Sequence, residues 1–150
     1  MSNQIYSTHY YDMFKPVLAL EPLMFTSGDD EDGVEQEGES IDRLDFAAGQ
    51  VVIPVVATLQ ENETATLEVV VEESADESEW VTFEELDDTV LTGDTGGSTE
   101  SDALRFNVNL QGAKRYVRVN ITCTLSDTET TDTVNLSAVM MVTGSSENPV

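Results

Sequence analysis

The chain has 150 residues, with thirty acidic side chains against six basic ones and a formal net charge of −24. Such a surface repels nucleic-acid phosphates and anionic lipid headgroups, so neither is an expected partner. With 39% hydrophobic residues and one cysteine, Cys123, the chain is long enough to fold on a single apolar core, without a disulfide.

Residues 1–27, "MSNQIYSTHYYDMFKPVLALEPLMFTS", are apolar but follow neither a helical nor a strand period. No basic n-region followed by an apolar h-region opens the chain. No apolar run approaches the roughly 18–20 residues that span a bilayer. Synthesis in a cytoplasm is therefore expected. Pro16 and Pro22 disfavour helix around them. The segment reads as an extended arm that docks on a partner, through Tyr10, Tyr11, Phe14, Leu18 and Phe25, or else as a loose tail.

Residues 28–40, "GDDEDGVEQEGES", hold seven acids and three glycines. A calcium loop of the EF-hand type needs oxygen ligands at alternating positions and a glycine at the sixth. Here Asp29, Asp30, Glu31 and Asp32 are contiguous and Gly33 falls too early. The segment reads as a solvated acidic linker, which makes 1–40 arm plus linker and 41–150 the folded domain.

After residue 40 the apolar period becomes two, the spacing of a half-buried strand. "QVVIPVVATL" (50–59) is a strand, and Pro54 marks it as an edge or a bulge. "TATLEVVVEES" (64–74) turns Leu67, Val69 and Val71 to one side. "EWVTFEEL" (79–86) is a shorter strand, and "GDTGGSTESD" (93–102) a polar loop. "ALRFNVNLQG" (103–112), "RYVRVNITCTL" (115–125) and "VNLSAVMMV" (134–142) alternate cleanly, with "SDTETTDT" (126–133) as a turn. The last two strands are expected to pair as a hairpin, burying Val117, Val119, Ile121, Leu136 and Met140. Seven or eight such strands without an amphipathic helix describe an all-β protein, an antiparallel β-sandwich of jelly-roll type.

Four of the six basic residues, Arg105, Lys114, Arg115 and Arg118, fall within fourteen positions. If their strands pair, they gather at one end of a hairpin. They then either balance nearby carboxylates across strands or form a docking patch for an acidic partner surface or for a neighbouring copy of this chain.

Catalytic chemistry is sparse. His9 is the only histidine and lies in the arm, whereas Cys123 points inward on a strand. There is no phosphate loop, no nucleophile elbow and no set of zinc ligands. No catalytic residue, metal or cofactor is assigned, and the chain is not expected to be an enzyme.

Two stretches, "VVVEESADESEWVTF" (69–83) and "GAKRYVRVNITCTL" (112–125), together with the closing apolar strand, resemble small β-sandwich proteins of tailed-bacteriophage virions, in which a "DSADGS-x-W/F" turn and a "RYVR" strand recur. The resemblance covers roughly residues 50–150. It implies a virion structural protein, in particular a capsid decoration (cement) protein. Such a protein would sit on the capsid surface and bind the major capsid protein, copies of itself, or both. The same motifs are similar to discoidin-type jelly rolls, which implies the alternative of a carbohydrate- or surface-binding module, such as a fibre or spike component. Glu77 stands where the turn glycine is usual, and the cysteine pair of extracellular discoidin domains is absent.

Overall fold

The computed structural model describes residues 14–144. Nine strands run in the order β1 (Phe14–Thr26), β2 (Ile41–Asp42), β3 (Ala48–Leu59), β4 (Thr64–Ser74), β5 (Val81–Glu85), β6 (Thr89–Thr92), β7 (Ser98–Asn109), β8 (Tyr116–Leu125) and β9 (Thr133–Thr143). Among the described residues there is no helix. The strands build a four-stranded sheet, β1-β9-β3-β7, and a five-stranded sheet, β2-β8-β4-β5, in which β6 also pairs with β4.

The pairing is nested and antiparallel throughout. β1 pairs with β9, β2 with β8, β3 with β7, and β4 with both β5 and β6. First strand to last, second to next-to-last, is the signature of one long hairpin rolled into two facing sheets, a jelly roll. The expected all-β sandwich is the observed fold.

Alternation sets the core. Val51, Ile53, Val55, Ala57 and Leu59 of β3 face Leu67, Val69 and Val71 of β4 and Val117, Val119, Ile121 and Cys123 of β8; all are buried, as are Leu136 and Met140 of β9. Closely packed inner faces of two sheets about 10 Å apart leave no room for a register slip, which would turn each apolar side chain into water.

Five expectations are corrected. First, residues 115–125 and 134–142 do not form a hairpin: β8 lies in one sheet and β9 in the other. The period of two fixes which side of a strand is buried, not its neighbour. The 126–133 connection crosses between the sheets and is pinned by Ser27 N–H to the Asp132 carbonyl (3.0 Å), Asp132 N–H to Ser27 Oγ (3.1 Å) and Gln60 N–H to Asp132 Oδ1 (3.0 Å).

Second, the domain does not begin at residue 41. β1 pairs with β9 from Phe14↔Thr143 to Thr26↔Thr133, interrupted by two bulges, and buries Ala19, Leu20 and Phe25. Those irregularities hide its strand period. Pro16 and Pro22 are tolerated because β1 is an edge strand.

Third, the acidic segment is not a free linker. It lies along β8, with Gly33 N–H on the Cys123 carbonyl (2.9 Å) and Gln36 and Ile121 exchanging both backbone bonds (2.8 and 3.0 Å). Glu39 N–H reaches across to the Ala19 carbonyl of β1 (2.8 Å). This strap closes one side of the sandwich, and at Gly38 a Cβ would collide with the carbonyl oxygens of both Val119 and Ala19.

Fourth, Pro54 sits in a central strand. The β3–β9 register is unbroken from Val52↔Val139 to Val55↔Leu136, but Ile53 and Pro54 make no pair there. The ladder opens locally where proline has no N–H to give. The loop expected at 93–102 is also shorter, because β7 begins at Ser98.

Candidate interaction surface

The two stretches that carry the family resemblance meet in space. Ser74 is buried, and its Oγ accepts from the N–H groups of Asp76 (3.3 Å) and Glu77 (2.9 Å). Asp76 Oδ1 accepts from Ser78 N–H (2.9 Å) and Glu79 N–H (3.1 Å), and these bonds hold its carboxyl below the usual range. Glu77 takes a φ of 63°, the left-handed conformation in which glycine is unstrained. The turn delivers Trp80 onto β8, where the Arg118 guanidinium lies 4.5 Å from its ring centroid. Arg118 Nε donates to Glu72 Oε1 (2.8 Å) and Nη1 to Glu37 Oε2 (3.2 Å). Asn120, which alternates with the inward-facing Val119 and Ile121, is nonetheless 1% exposed beneath the strap. Its amide donates to Glu72 (2.6 Å) and accepts from Gly38 N–H (3.2 Å).

The basic cluster is therefore not one patch. Arg118 is consumed by an internal network; its side chain is 14% exposed. Arg115 pairs with Asp42 (2.9 Å) and lies over Tyr116, an ion pair that lowers the Asp42 pKa and raises that of Arg115. Arg43 holds the 112–115 turn by donating to the carbonyls of Lys114 (3.0 Å) and Ala113. The Lys114 N–H is tied to Glu73 Oε2 (2.7 Å). Arg105 lies in the opposite sheet, on β7, exposed. Charge balancing describes Arg115 and Arg118; the four do not converge.

The arm residues also separate. Tyr10, Tyr11 and His9 lie outside the described residues. Phe25 is fully buried in this chain's own core, so it is not offered to a partner. Leu18 is 46% exposed, and Phe14 is half-buried. Cys123 is sealed in the core, and burial pushes its thiol up to about 12, the reverse of nucleophile activation. Among the described residues no group of three or more histidine, cysteine or carboxylate side chains is placed to hold a metal ion. Arg118 covers one ring face of Trp80, and Phe83 packs against the core.

What the fold does assemble is a neutral face. On the outer side of β1-β9-β3-β7, the register lines residues up in rows across the sheet. Phe14, Thr143, Ala48 and Asn109 form one row; Pro16, Met141, Gln50 and Asn107 the next; then Leu18, Val139, Val52 and Arg105. Beyond the proline break, where Pro54 lies beside Ala103, come Met24, Asn135, Val56 and Ser101, and last Thr26, Thr133, Thr58 and Thr99. Arg105 is the one charged residue in these rows, in a chain of which 24% is charged. Leu18, Met24 and Val56 are among its exposed apolar side chains. Two hollows mark the face: one of about 630 Å³ beside Phe14, Gln50 and Met141, with the carboxylate-bearing Glu84 of β5 also in its lining, and one of about 460 Å³ between Pro22, Pro54 and Val56.

The opposite side is acidic. Glu68, Glu72 and Glu85 lie on the outer side of the five-stranded sheet, and the strap beside it exposes Asp29, Asp30, Glu31, Glu35, Glu37 and Glu39. The neutral face was not visible in the sequence, because it is composed from four strands that are remote along the chain.

No protein-family model matches the chain, and no curated protein matches it significantly in sequence. Solved structures do match in fold. The T13 particle of infectious bursal disease virus aligns with a TM-score of 0.57 at 14% identity, covering 90% of this chain and 31% of that one. The Gx strain of the same virus gives 0.54 at 14% identity, covering 91% and 33%. Its T=1 particles give 0.54 at 12% identity, covering 90% and 32%. This chain thus spans about a third of the length of the viral chains it matches. At these identities the likeness is one of fold.

Proposed function

We propose that this chain is a virion structural protein, a capsid decoration protein that binds between major capsid subunits on the outside of the shell and stabilises it. The observation that carries this reading is the segregation of charge: the outward rows of one sheet hold a single charged residue, Arg105, and the side of the other sheet, with the strap along its edge, carries the exposed carboxylates. A body of this kind is suited to burying its neutral side in an assembly while its acidic side stays in water and keeps particles apart. The fold, shared with chains of solved virus particles, supports the same reading, as does the resemblance of the "SADESEW" turn and the "RYVR" strand to phage virion proteins.

The test is to mix the full chain with undecorated capsids and follow co-sedimentation and the thermal disruption of the shells. Saturable binding at a fixed ratio to the capsid subunit, with shells that survive to higher temperature, is the expected result. Absence of binding at both low and high salt refutes the role.

A further inference from the structure

We infer that the neutral face of β1-β9-β3-β7 packs against the same face of a second copy of this chain, so that the chain is a two-fold dimer before it meets any shell. The inference deepens the reading above by naming the occupant of that face.

Three observations carry it. The first is charge. Two bodies of net charge −24 repel wherever carboxylates face carboxylates, and this face is where they meet without doing so. The second is area. With strands about 4.8 Å apart and about 3.3 Å of rise per residue, four strands of about eleven residues present roughly 700 Å². A pair of such faces falls within the roughly 1,200–2,000 Å² of stable interfaces. The apolar centre, Val52, Val139, Met141 and Leu18, is bordered by a threonine row and an asparagine pair, the apolar-core and polar-rim arrangement of protein interfaces.

The third is the placement of the ionic exceptions. A two-fold axis running along the strands lays β7 of one copy over β1 of the other. Arg105 on β7 is level with Val139, and Glu21, exposed in the β1 bulge, lies between the levels of Ala138 and Leu136. The lone cation of each face then approaches a carboxylate of the other copy, twice by symmetry.

Sedimentation velocity on the full chain, with no capsid present, tests this. A species of twice 16.4 kDa is expected at concentrations up to about 100 μM. It should tighten as salt rises, because screening weakens the repulsion between the acidic bodies. Val52→Asp with Met141→Asp, both half-buried on the outer face, should weaken the pair by more than about tenfold, with circular dichroism and melting temperature measured on the same variant to separate lost pairing from lost fold. Val90→Asp, on the other sheet, should change nothing. Arg105→Glu should weaken the pair, and adding Glu21→Arg should restore it.

A wild-type chain that stays monomeric at high salt overturns the inference. So does a Val52→Asp, Met141→Asp variant that pairs as well as wild type. A monomer that still decorates capsids would reassign the face to the capsid subunit and leave the proposed function standing. A dimer that ignores capsids would do the reverse.

Discussion

Arg118 separates a structural from a docking role for the basic residues. Its guanidinium joins Glu72 at 2.8 Å and Glu37 at 3.2 Å and lies over Trp80, so three segments remote in sequence meet on it. Arg118→Met keeps most of the stem and removes the charge. Glu72, whose side chain is 17% exposed, would keep Asn120 as a donor but lose its cation. Breaking a fully buried pair costs about 3–5 kcal/mol, and partial solvent access reduces this to about 1.5–2 kcal/mol. Loss of the cation–ring contact adds about 0.5–1 kcal/mol. A total of about 2–3 kcal/mol should lower the melting temperature by roughly 4–12 °C for a domain of this size. Chemical denaturation of Arg118→Met, Glu72→Gln and the double variant measures the coupling directly. The double variant should be less destabilised than the sum of the singles by about 1–2 kcal/mol. A loss below about 0.5 kcal/mol in Arg118→Met, with no coupling to Glu72, would show the network to be solvated and the residue free to dock.

Ile121→Ala, at a fully buried position on β8, should cost about 2–5 kcal/mol in denaturant unfolding. Gly38→Ala should displace the strap, because the new methyl meets two carbonyl oxygens. A loss of about 1–3 kcal/mol and faster amide exchange at Gly33 and Gln36 would report it. Asp132 is buried, and its Oδ2 has no hydrogen-bond partner among the described residues. Burial raises its pKa, and the charges of Asp127 and Glu63 add to the effect, so the folded state holds this proton to higher pH than the unfolded chain. The stability it contributes is present below the unfolded value and is lost as pH rises through the raised one. Asp132→Asn, which removes the charge and keeps an acceptor for Gln60 N–H, should therefore raise stability at neutral pH, and the gain should fade in acid. Asp42, Asp76 and Asp127 are shifted downward, so their stabilisation is lost as pH falls, and melting curves of both proteins from neutral to acid pH separate the two trends.

Sequence alternation made the sandwich and most of its core legible. Leu67, Val69, Val71, Val117, Val119, Ile121, Leu136 and Met140 each stand in an uninterrupted period of two, and all are buried. The pattern failed where the backbone departs from the period. β1 carries two bulges, so Ala19, Leu20 and Phe25 do not alternate and the strand resembles a free arm. The strap pairs through backbone groups while its side chains stay acidic and exposed, so composition alone reads it as linker. Partner choice was not encoded locally either. β8 and β9 are adjacent in sequence and equally regular, and what sends them to different sheets is the rolled topology, which seats β9 between β1 and β3. The neutral face follows from that choice. Along any one strand its residues look unremarkable: Gln50, Val52 and Pro54 on β3, or Arg105, Asn107 and Asn109 on β7. Had β8 paired with β9 and β7, the acids of the strap and the neutral rows would have shared one surface. The nested pairing instead places the strap beside β8 on the five-stranded sheet and leaves Arg105 as the one charge in the outward rows of the other, whose remaining charges, Lys15, Glu21, Glu100 and Asp102, sit on its two edge strands. The separation of charge that bears on function is thus a product of topology acting on an otherwise ordinary polar pattern.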